Sequence, residues 1–79
     1  MHIPDPCPAP ILCAAGRFLY GERWQQDLAE EIGVTRFAVH AWKTGRNRMA
    51  GPPVKLLRQL VDRKKAAELE RARDLFAGG

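Results

Sequence analysis

Apolar residues fall along this chain in groups spaced three and four apart, and glycine or proline stands between the groups. At about 100° of turn per residue that spacing returns to one side of a helix, and no stretch alternates with the period of two that a half-buried strand shows. Residues 1–8 hold Pro4, Pro6 and Pro8, which remove backbone donors and predict an extended, flexible N-terminal tail. Pro10 suits the first turn of a helix reaching about Tyr20, with Ile11, Ala15, Phe18 and Leu19 at helical spacing and Gly21 as its end. A second helix is predicted from about Arg23 to Ile32, carrying Trp24, Leu28, Ala29 and Ile32 inward and Asp27, Glu30 and Glu31 toward water. Gly33 stops it, because glycine accepts the left-handed backbone that helix ends use. Thr35 is a good N-cap for a third helix through Trp42 to Thr44, ended by Gly45. After the loop GRNRMAGPP, Pro52 and Pro53 sit at the first positions of a fourth helix whose Val54, Leu57, Leu60 and Val61 point inward. The stretch DRKKAAELERARDLFA stays helix-forming beyond it, with Leu69, Ala72, Leu75 and Phe76 at steps of three and four until Gly78 and Gly79.

The fold class is therefore all-α: a compact four- to five-helix bundle, divided into the tail 1–8, a helical domain over 9–61 and a C-terminal helical extension over 62–79. At 79 residues the chain is expected to be one domain, with no room for a second sensing or catalytic unit. No apolar run approaches the roughly 20 residues that span a bilayer. The start, MHIPDPCPAP, has neither a basic leader nor a long apolar segment, so a cytoplasmic protein without membrane contact is expected. Cys7 and Cys13 lack a second ligand pair, which argues against a structural metal or a disulfide framework. His2 and His40 are isolated, there is no glycine-rich phosphate loop, and no carboxylate pair stands out. The expectation is no catalytic residue, no metal and no cofactor.

Charge changes the picture. The net charge of +4 is unevenly spread: residues 1–40 carry Arg17, Arg23 and Arg36 against five acids. From Arg36 to Lys65 the cations Arg36, Lys43, Arg46, Arg48, Lys55, Arg58, Arg63, Lys64 and Lys65 face a lone acid, Asp62. Like charge concentrated in this way repels itself and persists most easily where a polyanion neutralises it, which makes nucleic acid the leading partner.

Spacing then narrows the reading. In QQDLAEEIGVTRFAVHAW, Gln25 to Trp42, the small Ala29 stands where two helices cross closely and Gly33 where the turn is tight. Leu28, Ile32, Val34, Val39 and Trp42 take the positions that pack on the rest of the domain, the pattern of a helix-turn-helix. Over about Arg17 to Leu60 the sequence resembles the Cro and lambda-repressor, or xenobiotic-response-element, type of bacterial and phage regulator. AWKTGRNRM, followed by PP and an apolar helix, looks like that family's recognition-helix end, basic loop and fourth helix. LYGERWQQDLAEEIGV is similar to small regulators of this type from phages and mobile elements.

In such a motif the second helix enters the major groove. With Val39 and Trp42 inward beside Ala38, the residues Arg36, Phe37, His40 and Thr44 face outward and are the expected base contacts, Ala41 lying on the same side. Arginine can pair with guanine O6 and N7, phenylalanine can meet a thymine methyl, and histidine can bond a base or a phosphate. Phe37 has a competing role, packing against the fourth helix. Gln25 and Gln26, at the start of the second helix, and Thr35, Lys43, Arg46, Asn47 and Arg48 are the expected DNA-backbone contacts, for Gln25 also by the resemblance.

The reading that follows is a sequence-specific regulator of transcription on double-stranded DNA, expected to be a repressor, of its own promoter or another, acting as a homodimer on a palindromic operator. Leu69, Ala72, Leu75 and Phe76 form the expected dimerisation stripe; the alternative is that this segment folds back on its own domain. Two other functions fit the same fold. One is the antitoxin of a toxin–antitoxin pair, with a protein partner on the C-terminal helix; the other is an interaction adaptor that binds no DNA.

Overall fold

A computed structural model describes residues 3–77, so His2 and the helix stop expected at Gly78 and Gly79 lie outside the described residues. Over that span the chain is all-helical, with α1 (Ala9–Tyr20), α2 (Trp24–Ile32), α3 (Arg36–Lys43) and α4 (Pro52–Ala77). No helix among the described residues is long and apolar enough to cross a membrane.

Local chemistry sets the ends. Pro8 precedes α1 in extended conformation, Pro10 occupies its first turn, where its missing N–H costs no bond, and the Gly21 N–H closes the helix onto the Arg17 carbonyl at 2.8 Å. Gly33 takes a left-handed backbone, φ 84°, that a side chain would strain, and it lets the Gly33 and Val34 amides share the Ala29 carbonyl at 2.9 Å each. The Thr35 hydroxyl accepts from the Ala38 amide at 3.2 Å and caps α3.

The core lies between the helices, built from Leu12, Ala15, Trp24, Leu28, Ala29, Val39, Val54, Leu57 and Val61. Two of its contacts were not expected. On α1 the buried side is Leu12, Ala15 and Gly16, with Ile11, Phe18 and Leu19 only partly covered. The shift follows from Trp24, whose indole lies flat against Gly16: a β-carbon at Gly16 would stand 2.2 Å from Trp24 Cε3, so only glycine admits the ring. Met49, in the loop before α4, is the second and is fully buried.

The N-terminal segment departs from the flexible tail expected over residues 1–8. Ile3 and Cys7 are buried at 0% and 2% exposure. The Cys7 amide donates to the Met49 carbonyl at 2.8 Å, the Gly51 amide donates to Asp5 Oδ1 at 3.2 Å, and the Arg58 guanidinium donates to the Ile3 carbonyl. The prolines rule out a helix, and the segment, bent at Asp5 and Pro6, lies as a strap between α4 and the loop.

The opposite end departs too. α4 is one continuous helix of 26 residues, so the boundary expected between 61 and 62 falls inside it. Its first part delivers Val54, Leu57 and Val61 to the core. Lys64 is the last tie: its ammonium donates to the Phe18 carbonyl and, at 3.3 Å, to the Leu19 carbonyl, and sits 5.0 Å above the Phe18 ring. A cation there complements the negative end of α1. Beyond it the helix leaves the body, which stretches the molecule to 48 × 23 × 20 Å in place of the compact bundle expected. The segment does not fold back on its own domain, since none of its described residues is buried.

Candidate nucleic-acid interface

α3 supplies the exposed wall of the candidate site. Its inward side is fixed by Val39, with Ala38 and Trp42 partly covered, and this turns Arg36, Phe37 and His40 to solvent. These three line one open concavity together with Gln25 and Gln26 of α2 and with Glu22 and Arg23 from the turn before it. Phe37 is 80% exposed, so the competing role in which it packs against α4 is not what the structure shows. Among the described residues this large apolar side chain, beside an arginine and a histidine, is left largely uncovered.

The opposite wall begins at the N-terminus of α2. No side chain caps its first turn, which leaves the amide ends that attract an anion directed outward next to Gln25. Gln25 is half-buried, whereas the Gln26 amide donates to Glu30 Oε1 at 3.4 Å and is partly committed to its own helix. At about 100° per residue, Asp27 and Glu31 lie well round the helix from Gln25. Their position is registered at Tyr20, whose phenol is pushed up by burial first and then by Glu31 and Asp27. Asp27 and Glu31 of α2 therefore lie away from the concavity, whereas Glu22 stands on its rim and Glu30 lines an adjoining hollow with Gln26 and Arg36.

The remaining predicted contacts fall around this centre. Thr35 accepts the Ala38 amide, which leaves its hydroxyl proton free to donate outward. Lys43 ends α3, and Arg46, Asn47 and Arg48 are exposed on the following loop. That loop has a fixed path, because the Gly45 amide bonds the Trp42 carbonyl at 3.3 Å and the Asn47 amide bonds the Ala41 carbonyl at 3.2 Å. Among the described residues the ion pair present is Lys64–Glu68 at 4.0 Å, so Arg36, Lys43, Arg46 and Arg48 face solvent with no acid in contact. Thr44 is placed differently from the expectation: it is the C-cap of α3, outside the concavity, and its hydroxyl is directed at the His40 and Ala41 carbonyls at 3.1 and 3.3 Å. A hydroxyl that satisfies the last carbonyls of its own helix has only acceptor capacity left for a ligand.

Glu22 and Arg23 were not among the expected contacts, Glu22 because it precedes the predicted helix and Arg23 because it was read only as that helix's first residue; their signal was their adjacency to Gln25 after the Gly21 break. The expected dimerisation stripe is well separated from all this, on the free part of α4, with Leu69, Leu75 and Phe76 exposed to 60%, 75% and 88% and Ala72 half-buried. Comparison with protein-family models, with curated proteins and with solved structures finds no match for the chain.

Proposed function

We propose that this protein is a double-stranded DNA-binding module in which α2 and α3 form a helix-turn-helix and α3 is the recognition helix. The observation that carries the reading is the concavity in which Arg36, Phe37 and His40 stand exposed against the uncapped start of α2. A guanidinium, an aromatic edge and an imidazole are the groups that read base edges in a major groove, and a helix N-terminus with an amide side chain suits the flanking phosphate. Lys43, Arg46, Asn47 and Arg48 extend the surface along the backbone, where cations supply affinity without reading sequence.

Within that class the particular reading is a sequence-specific repressor, acting on its own promoter as a homodimer. One recognition helix reads few base pairs, and two placed about 34 Å apart on a palindrome read enough to be selective. The stripe Leu69, Ala72, Leu75 and Phe76 supports a second copy, because three of these residues are large, apolar and uncovered. The same exposure also suits the antitoxin reading, in which a different protein covers the stripe.

The test is selection of bound sites from random DNA by the full chain at low salt, which is expected to return an inverted repeat. Arg36→Ala is expected to cost about 1 to 3 kcal/mol and to relax one base-pair preference; uniform weakening on every sequence reassigns Arg36 to phosphates. Arg46→Ala or Arg48→Ala is expected to weaken all sequences alike and to lower the salt slope by about one. Absence of DNA binding at low salt overturns the reading in favour of an adaptor.

A further inference from the structure

The strap formed by residues 3–8 touches the body at the loop that carries Arg46, Asn47 and Arg48 and at α4 beside it. Met49 and Gly51, immediately after those residues, are the loop positions to which Cys7 and Asp5 bond. The run Pro4–Asp5–Pro6–Cys7–Pro8 keeps only two backbone donors, and the Cys7 N–H is spent on Met49. Ile3, Cys7 and Met49 are all buried together, so the loop's exit is fixed by packing as well as by hydrogen bonds. Pro6, Cys7 and Pro8 also form one wall of a second concavity whose other wall includes Trp42, Asn47 and Arg48.

We propose that the strap is a positioning element for DNA: it holds the Arg46–Arg48 loop in its binding conformation, with Asp5 as its outer positioning residue. The inference rests on the DNA-binding reading above. A long cation on a mobile loop must give up backbone and side-chain freedom when it meets a phosphate, and a loop already pinned at its exit gives up less. Asp5 acts through the Gly51 amide, not through DNA, and its own charge repels phosphate. This separates positioning from electrostatics, because removing the carboxylate for charge reasons alone should tighten binding.

Two variants of equal charge make the comparison. Asp5→Asn keeps an oxygen that accepts the Gly51 amide, and Asp5→Ala does not; Asp5 is exposed, so both leave the core intact. In the full chain, Asp5→Ala is expected to bind the selected operator about two- to tenfold more weakly than Asp5→Asn, the worth of one net hydrogen bond. The alanine variant should melt only a few degrees lower, with both variants fully folded at the temperature of the binding assay, and its Gly51 amide should exchange faster. In an Arg46→Ala/Arg48→Ala background the difference in affinity should vanish, since the strap acts through those side chains. Equal affinities for the two variants, or a difference that survives in that background, overturn the positioning role while leaving DNA binding standing. Failure of the unaltered chain to bind any DNA at low salt overturns the DNA reading and this inference with it.

Discussion

The two ends of the chain, residues 3–8 and the last turns of α4, are covered in opposite ways. The first has three prolines within residues 4–8 and little apolar content, yet Ile3 and Cys7 disappear into the core. The last has a regular apolar stripe of the kind that marks a buried helix face, yet Leu69, Leu75 and Phe76 stand in water. Helical spacing reports that a face needs cover; it does not report that the same chain supplies it. Burial instead follows from reach. The strap starts at α1 and needs only a few residues to lie across the loop and α4, whereas the end of α4 is carried away from the body at about 1.5 Å per residue by its own straightness.

The largest expected difference between the ends is in stability. Ile3→Ala should cost about 2 to 5 kcal/mol, out of roughly 4 to 12 for a chain of 79 residues, whereas Leu75→Ala should stay within about 0.5 kcal/mol. Urea titrations of both variants check this, and similar shifts would erase the contrast. Next comes removal of residues 69–79. The body should keep its melting transition while operator binding falls by about tenfold or more, as the paired form is lost. A truncated chain that sediments as a dimer and binds with full affinity defeats the stripe as a dimer contact.

The smallest effect is chemical. Burial first, then Asp5 and Cys13, push the Cys7 thiol up, so at neutral pH it holds less thiolate than an ordinary cysteine. In the native protein iodoacetamide should label half-buried Cys13 at least about tenfold faster than Cys7, whose reaction waits on opening of the strap. The Cys7 rate should also keep climbing with pH where a normal thiol levels off. Equal labelling rates at neutral pH would mean that the strap is loose.

Much of the helical frame was legible because its punctuation is local. Gly21, Gly33 and Thr35 act through their own backbone and nearest turns, and Pro52 and Pro53 start α4 where their rings fit. The outward set Arg36, Phe37 and His40 could be read from the inward set Val39 and Trp42, since one helix fixes both. What stayed hidden depends on distant partners. Gly16 looks like a weak point in α1 until the Trp24 ring is laid on it. Ile3 and Met49 have no periodicity to announce them, because each is buried by a single long-range contact region. Thr44 shows what a helical wheel leaves out: its angle is outward, and its hydroxyl turns back to the end of α3.

The unbroken course of α4 has one more consequence. Val54 sits in the core and Ala72 in the exposed stripe, eighteen positions further along the same helix, which at 3.6 residues per turn is about five whole turns. The two residues therefore point the same way, and no hinge separates them to let that phase slip. Anything that grips Ala72 is indexed to the core and, through the core, to α3. Inserting one residue between Lys65 and Leu69 would rotate the stripe by about 100° while leaving each buried contact in place. The angle at which a paired molecule presents its two α3 surfaces is thus set by a count of residues along a single helix.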